Sequence, residues 1–209
     1  MAFTASLHQL SIFDGIRAAA ARTPHRVAIV EGGEPLSYAQ LMAAAGGAQP
    51  SAILRWVGSM RVQATADENQ VAATLRDGES TVELSHRELL LQAFDRIVIH
   101  AAFDRDGVLA MPLPLSSASA RVAATISLWL GGTLHLLRPG SLDALAHGMA
   151  NGRFNTCWLG AAELEALGRR RDAPPSPAET FLLAVCDPSP SAQIRERLVA
   201  WLGPERVAE

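Results

Sequence analysis

Short apolar runs alternate with amphipathic stretches along the second half of this 209-residue chain. Four runs typical of buried strands are each followed by a pattern with helical periodicity. The runs span residues 108–112, 133–137, 154–159 and 181–186, and the helical patterns span residues 119–130, 141–150, 161–170 and 191–202. Strands that alternate with helices pair in parallel and carry helices on the faces of their sheet. The sequence therefore predicts an α/β fold with a doubly wound, mostly parallel sheet.

The first third of the chain predicts a small N-terminal α+β lobe. Its elements are a helix over residues 11–23, strands at 26–31 and 36–38, and a helix over 39–45. Two more strands are expected at 52–57 and 60–64, because these runs are apolar and carry β-branched or aromatic residues. The polar run 64–69 is the expected boundary. Residues 1–66 would then form the lobe, and residues 67–209 would form the α/β layer.

Composition excludes several classes of function. The chain contains no lysine, since all 18 of its Lys+Arg positions are arginine. This excludes a lysine Schiff base and the lysine of a nucleotide-binding P-loop. The net charge of -3 argues against general nucleic-acid binding. The longest apolar run, residues 122–130, is too short to span a membrane, and no signal peptide is apparent. With two cysteines and no Cys/His cluster, we expect a cytoplasmic protein.

Local motifs predict structure rather than chemistry. Ser85 and Glu88 have the spacing of a capping box, which predicts that a helix begins between them. His100, His135 and His147 show no metal-ligand spacing with one another. We therefore expect no metal site and no cofactor.

Three stretches of the chain resemble a known family in their order and spacing. The first runs from Arg22 to Leu41 and includes Arg-Thr-Pro-His-Arg-Val-Ala-Ile-Val and Leu-Ser-Tyr-Ala-Gln-Leu. The second is Val82–Leu90, and the third is Val108–Leu137, which ends in Gly-Gly-Thr-Leu-His-Leu-Leu. Together they resemble the N-terminal domain of the adenylate-forming superfamily, which includes acyl-CoA and aryl-CoA synthetases and the adenylation domains of peptide synthetases. The resemblance implies a reduced version of that domain, truncated and degenerate, with a large deletion around residues 46–69.

The resemblance also implies what the chain lacks. The family's phosphate loop is rich in Ser, Thr and Gly and ends in Pro-Lys-Gly, whereas the corresponding run, Ala73–Thr81, has one glycine and no lysine. Phosphate binding needs converging N–H groups and a cation, and Asp77 and Glu79 would repel a polyphosphate. We therefore expect no catalytic residues to carry over and no ATP-dependent adenylation.

Polar residues that follow two of the predicted strands form the candidate ligand-binding site. Ser116 and Ser117 follow the first of the four strand runs, whereas Cys186 and Asp187 lie at the end of the last. Ligands of open α/β sheets bind at the carboxyl ends of the strands. The resemblance implies a small carboxylic acid or an acyl group as the ligand.

Function stays open between three hypotheses. The first is a non-catalytic binding or interaction module linked to acyl or aryl acid metabolism. The second is an enzyme with different chemistry in the remnant acyl pocket. The third is an acyl-CoA or aryl-CoA ligase subunit that a partner chain completes in trans. A closed pocket with converging polar groups would favour an enzyme, and an exposed apolar patch without one would favour an interaction module.

Association with another chain is also expected. The terminal run Arg206–Glu209 resembles the start of one more strand, and unpaired strand edges invite pairing with other chains. We expect a homo-oligomer, in the first place a homodimer, or a complex with a partner protein. Neither a nucleic acid nor a membrane is an expected partner.

Overall fold

The computed structural model describes residues 11–45, 51–63, 71–77, 80–99 and 106–208 of the chain. The helices in these ranges are α1 (Ile12–Arg22), α2 (Tyr38–Ala44), α3 (Ala52–Gln63), α4 (His86–Ile99), α5 (Ala118–Leu130), α6 (Leu142–Ala150), α7 (Ala161–Arg169) and α8 (Ala192–Leu202). The strands are β1 (Val27–Glu31), β2 (Glu34–Ser37), β3 (Val71–Asp77), β4 (Ser80–Ser85), β5 (Val108–Met111), β6 (Thr133–Leu136), β7 (Thr156–Leu159), β8 (Leu183–Cys186) and β9 (Val207–Ala208). Among these helices, none is both long enough and apolar enough to cross a bilayer.

Seven of the strands form one sheet, in the order β2-β1-β6-β5-β7-β8-β9. β2 runs antiparallel to β1, and the other neighbouring strands are parallel. β3 and β4 form a separate antiparallel hairpin. The predicted α/β fold with a mostly parallel sheet is thus confirmed. The further strand expected near the end of the sequence is β9, which pairs in parallel with β8.

Side chains of the sheet alternate between its two faces and divide the core into two clusters. On one face, Leu109, Trp158 and Val185 pack with residues of helices α1 to α5. On the other face, Cys157 and Cys186 pack with residues of helices α6 to α8. The sheet is therefore the middle of three layers, as a doubly wound fold requires.

The N-terminal segment is joined directly to this sheet. β1 pairs in parallel with β6, and α1 packs against α5. The Tyr38 hydroxyl lies 2.8 Å from the Gly132 carbonyl oxygen and 3.2 Å from that of Leu128, and burial raises the pKa of Tyr38. The boundary expected at residues 64–69 lies outside the described residues. The division of the chain at residue 66 therefore stays a prediction.

The two strands predicted at 52–57 and 60–64 are wrong, because Ala52–Gln63 forms helix α3. The buried residues of this helix recur at helical spacing and are Ile53, Trp56, Val57 and Met60. The Leu54 amide donates to Ser51 Oγ at 3.3 Å and so caps the start of the helix. In this run the helical period outweighs the strand propensity of its β-branched and aromatic residues.

The capping box predicted at Ser85 and Glu88 is confirmed. The Glu88 amide donates to Ser85 Oγ at 3.2 Å, and the Ser85 amide donates to Glu88 Oε2 at 2.8 Å. Hydrogen bonds from the Ser85 amide and then from its hydroxyl lower the pKa of Glu88. α4 accordingly begins at His86, which is buried and whose two ring nitrogens have no hydrogen-bond partner among the described residues.

A buried carboxylate fixes two loops at the carboxyl edge of the sheet. Glu163 on α7 is fully buried. Its Oε1 accepts from the Gly140 amide at 2.6 Å, and its Oε2 accepts from the Gly160 amide at 3.1 Å. Gly140 lies in the loop after β6, and Gly160 follows β7 directly. One side chain therefore bonds to the loop after β6 and to the residue that follows β7.

Candidate functional site

A cleft of about 230 Å³ lies at the carboxyl ends of β7 and β8, beside the start of α5. We call it the α4–α5 cleft. Its lining residues come from α4, α5, β7 and the segment after β8, and they are Gln92, Asp95, Ala118, Ser119, Val122, Trp158 and Asp187. This is the edge of an open parallel sheet at which ligands bind.

Trp158 and Ser119 form the rigid part of the cleft. Trp158, in the middle of β7, is 1% exposed, and its Nε1 donates to Ser119 Oγ at 2.7 Å. An indole nitrogen donates only, so Ser119 is the acceptor in this bond. The Ser119 hydroxyl proton therefore remains available as a donor to a ligand.

Two carboxylates give the cleft its charge. Asp95 lies on α4 and is exposed, and Asp187 follows β8 and is half-buried. Among the described residues that line the cleft, none is cationic. The two acidic groups disfavour a negatively charged ligand and favour a neutral or cationic one.

The serines predicted as ligand-binding residues lie next to the cleft and not in its lining. Ser117 is the N-cap of α5, since its Oγ accepts from the Ala120 amide at 3.2 Å. The same hydroxyl lies 3.1 Å from the Pro114 carbonyl oxygen, to which it donates. Ser116 is exposed in the preceding turn. The serine that does line the cleft is Ser119, two residues beyond the cap.

The other predicted pair is divided between the two faces of the sheet. Asp187 lines the cleft, whereas Cys186 is 2% exposed and packs with the helices of the opposite layer. Cys157 shares that face, and burial raises the pKa of its thiol. The alternation of a strand separates neighbouring residues in this way. A role for any of the four residues in ligand binding stays a prediction.

The run that the resemblance matches to the family's phosphate loop, Ala73–Thr81, falls in the β3–β4 hairpin. Val71–Asp77 and Ser80–Ser85 pair in antiparallel register from Val71–Ser85 to Asp77–Ser80. Residues 78 and 79, which join the strands, lie outside the described residues. Within the described ranges, no three His, Cys, Asp or Glu side chains form a group that could hold a metal ion.

Comparisons with known proteins identify the fold through solved structures. No protein-family model and no curated protein matches the chain. The o-succinylbenzoate coenzyme A synthetase MenE of Bacillus subtilis, in complex with AMP, matches with a TM-score of 0.74 at 11% identity, over 95% of this chain and 58% of its own. VinN in complex with L-aspartate gives 0.77 at 11% identity, over 96% of this chain and 75% of its own. The nonribosomal peptide synthetase FmoA3 gives 0.71 at 15% identity, over 95% of this chain and 31% of its own.

These matches are adenylate-forming enzymes. The chain therefore has the fold of the N-terminal domain of adenylate-forming ligases, and the resemblance seen in the sequence is confirmed at the level of the fold. It spans 31% of the peptide synthetase and 58% of MenE, so it corresponds to a part of those proteins.

Proposed function

We propose that this chain is a non-catalytic protein of the adenylate-forming fold, a binding or interaction module linked to acyl or aryl acid metabolism. The observation that carries the proposal is the tight β3–β4 hairpin where the resemblance places the phosphate loop. In this register only two residues of the sequence separate Asp77 from Ser80. Backbone N–H groups that bond across a strand pair cannot also converge on a phosphate.

Charge supports the same conclusion. The family's phosphate loop ends in Pro-Lys-Gly, and the corresponding run of this chain has no lysine. Asp77, the last residue of β3, is acidic and belongs to the run that the resemblance matches to a loop rich in Ser, Thr and Gly. Both features favour loss of ATP binding over retention of it.

The α4–α5 cleft is the proposed ligand site. Its volume of about 230 Å³ suits a small acyl group. Because Asp95 and Asp187 line it, we propose that it takes an acyl group in neutral form, as in an ester, thioester or amide, and not a free carboxylate. The Ser119 hydroxyl is the donor that would meet the acyl oxygen.

Binding fits this cleft better than catalysis. A serine nucleophile needs a base that accepts its proton, and the partner of Ser119 is an indole N–H, which only donates. Gln92 and Asp95 are exposed, so the α4 side of the cleft is open to water. Enzymes that use small pockets for chemistry exclude water from them.

Acid-dependent release of pyrophosphate from ATP tests the proposal. Purified protein should show none with a panel of fatty and aromatic acids, while MenE serves as the positive control with o-succinylbenzoate. Titration of ATP-Mg by calorimetry should show no binding in the micromolar range, which corresponds to about 8 kcal/mol. Turnover by the purified chain would refute the proposal. Turnover that appears only after cell extract is added would instead support a ligase completed in trans.

The proposal includes association with a second copy of the chain or with another protein. The two edges of the sheet differ in how they are protected. β2 carries Glu34 and Pro35, which discourage pairing, whereas β9 presents Val207 and Ala208. With a net charge of -3 two copies repel each other little, which favours a homodimer slightly. Sedimentation velocity at micromolar concentration tests for the homodimer. A monomer in that experiment, together with no partner protein recovered from cell extract, would refute the proposed association.

A further inference from the structure

A groove of about 250 Å³ lies between α7, α8 and the loop that follows α7. We call it the α7–α8 groove. α7 and α8 pack in one core cluster and Trp158 of the α4–α5 cleft in the other, so the groove and the cleft lie on opposite sides of the sheet. Among the described residues that line the groove, the charged ones are Arg170, Arg171, Arg197 and Asp172. The groove is therefore positively charged in a chain whose net charge is -3.

Apolar groups form the floor of the groove. Leu167 on α7 is 3% exposed, and Trp201 on α8 is half-buried against the same core cluster. Trp201 Nε1 donates to the Pro175 carbonyl oxygen at 2.9 Å, so the polar atom of this ring already has its acceptor. Trp201 therefore presents apolar ring surface to a partner, in a position that its bond to the loop fixes.

Arg197 is fixed at the C-terminal end of α7. Its Nη1 donates to the carbonyl oxygens of Leu167, Gly168 and Arg170, at 3.0, 3.1 and 2.8 Å. Carbonyls at the end of a helix lack an intrahelical donor, and this side chain supplies one. Within the part of the chain that the structure describes, no carboxylate pairs with Arg197, and its Nη2 and Nε make no hydrogen bond. The guanidinium therefore keeps N–H donors for an acceptor in the groove.

The other two arginines differ in whether their charge is already paired. Arg170 pairs with the carboxylate of Asp143, and its Nε donates to the Asp172 carbonyl oxygen at 3.1 Å. Arg171 is exposed and forms no ion pair with any residue that the structure describes. Arg171 and Arg197 are therefore the groove's two cations without a counter-ion among the described residues.

We infer that the α7–α8 groove docks an acidic segment of another protein. An apolar side chain of that segment lies on the Trp201 ring, and its carboxylates accept from Arg171 and Arg197. Tryptophan and arginine are the residue types that contribute most at protein interfaces, and a groove that is already fixed loses little entropy on binding. An inorganic anion would use the arginines and leave the apolar floor uncovered. The inference extends the proposed role as an interaction module, but it involves neither ATP nor the α4–α5 cleft, so either proposal can fail without the other.

Fluorescence anisotropy of labelled peptides tests the inference. The probe is Glu-Asp-Glu-Leu-Glu-Asp-Glu, and the neutral control peptide is Gln-Asn-Gln-Leu-Gln-Asn-Gln. The acidic peptide should bind saturably and lose affinity as salt is added, whereas the neutral peptide should not bind. Arg171→Gln should weaken binding by about twofold to fivefold, as is typical of an exposed ion pair.

A matched pair of substitutions on α8 locates the binding. Ala200 is exposed and lines the groove, three residues after Arg197. Ala200→Glu puts a carboxylate beside that guanidinium and should weaken binding of the acidic peptide by about tenfold or more. Ala192 is exposed on the same helix but does not line the groove, so Ala192→Glu should bind as the wild type does.

Four outcomes would overturn the inference. The first is that the acidic peptide does not bind saturably; if Ala200→Glu then dissociates a wild-type dimer, the groove belongs to a second copy of the chain. The second is equal affinity for the acidic and neutral peptides, and the third is equal affinity of Ala200→Glu and the wild type. The fourth concerns the indole N–H signal of Trp201 in NMR spectra, assigned by its loss in Trp201→Phe. This signal should shift with the acidic peptide, and an equal saturable shift with inorganic phosphate would assign the groove to small anions. If Ala200→Glu fails to fold, the Trp201 signal of the wild type still decides between these outcomes.

Discussion

Protonation of His135 should destabilise the fold as the pH falls below neutrality. His135 lies on β6 and is 8% exposed, and its ring contacts Phe154 edge to face at a centroid distance of 4.9 Å. Its Nδ1 has no hydrogen-bond partner in the part of the chain that the structure describes. Burial, and then the nearby charge of Arg153, lowers the pKa of His135 from 6.5 to about 4. At a pH between these two pKa values, the unfolded chain binds a proton at His135 and the folded chain mostly does not.

The size of the effect follows from that difference in pKa. A group whose pKa is lower in the folded state contributes stability above its unfolded pKa, and this contribution is lost as the pH falls towards the folded pKa. Between pH 7 and pH 4 the unfolded chain gains a proton at His135 that the folded chain only half accepts. At 1.36 kcal/mol for each pKa unit, the loss is about 3 kcal/mol. His86, whose pKa burial also lowers, acts in the same direction.

Urea denaturation at a series of pH values between 7 and 4 is the assay. In His135→Leu, which cannot titrate, the free energy of unfolding should fall by about 3 kcal/mol less over this range than in the wild type. His25 is exposed, so the curve of His25→Gln should follow the wild type. Parallel curves for the wild type and His135→Leu would refute the reasoning, because the depressed pKa would then not exist.

Three further predictions concern stability and are measured by urea denaturation at neutral pH. Ser85→Ala removes the cap of α4 and should cost about 1 kcal/mol. Glu163→Ala leaves two backbone amides without their acceptor and should cost at least about 2 kcal/mol, with a smaller loss for Glu163→Gln. Gly148→Ala would place a Cβ 2.0 Å from the Phe154 ring and should cost about 1–3 kcal/mol, whereas Gly168→Ala meets only an ordinary contact at 3.5 Å and should be neutral or stabilising. Equal stability of Gly148→Ala and Gly168→Ala would contradict the last of these.

The sequence predicted the sheet well where local signals agreed. Each core strand is a short apolar run, and caps or glycines bound the helices, as at Ser85 and Gly131. Helix α3 was wrongly predicted as two strands. Its apolar residues have strand propensity and also recur with a helical period, and a run this short does not distinguish a strand from a helix. The spacing of Ile53, Trp56 and Met60 was the signal that could have decided for a helix.

The candidate site was predicted as four side chains, and the structure places one of them, Asp187, in the lining of the α4–α5 cleft. Whether these residues bind a ligand stays a prediction, and the presence of Trp158 and Ser119 in the cleft lining depends on how β7 and β8 are paired. Trp158 pairs with Val185, which puts it on the same face as Asp187 and on the opposite face from Cys186. Such a register is tertiary information, and no local pattern in the sequence contains it.

The bonds at the carboxyl edge of the sheet bear on whether a ligand site is compatible with the proposed loss of ATP binding. The bonds at this edge join Glu163 on α7 to two loop amides, and Trp158 on β7 to Ser119 on α5. The β3–β4 hairpin is a separate sheet. Because the hairpin and the cleft are held by different sets of bonds, a change in the hairpin leaves the residues that line the α4–α5 cleft in place. The proposed loss of ATP binding is therefore compatible with the ligand-binding role that we propose for the cleft.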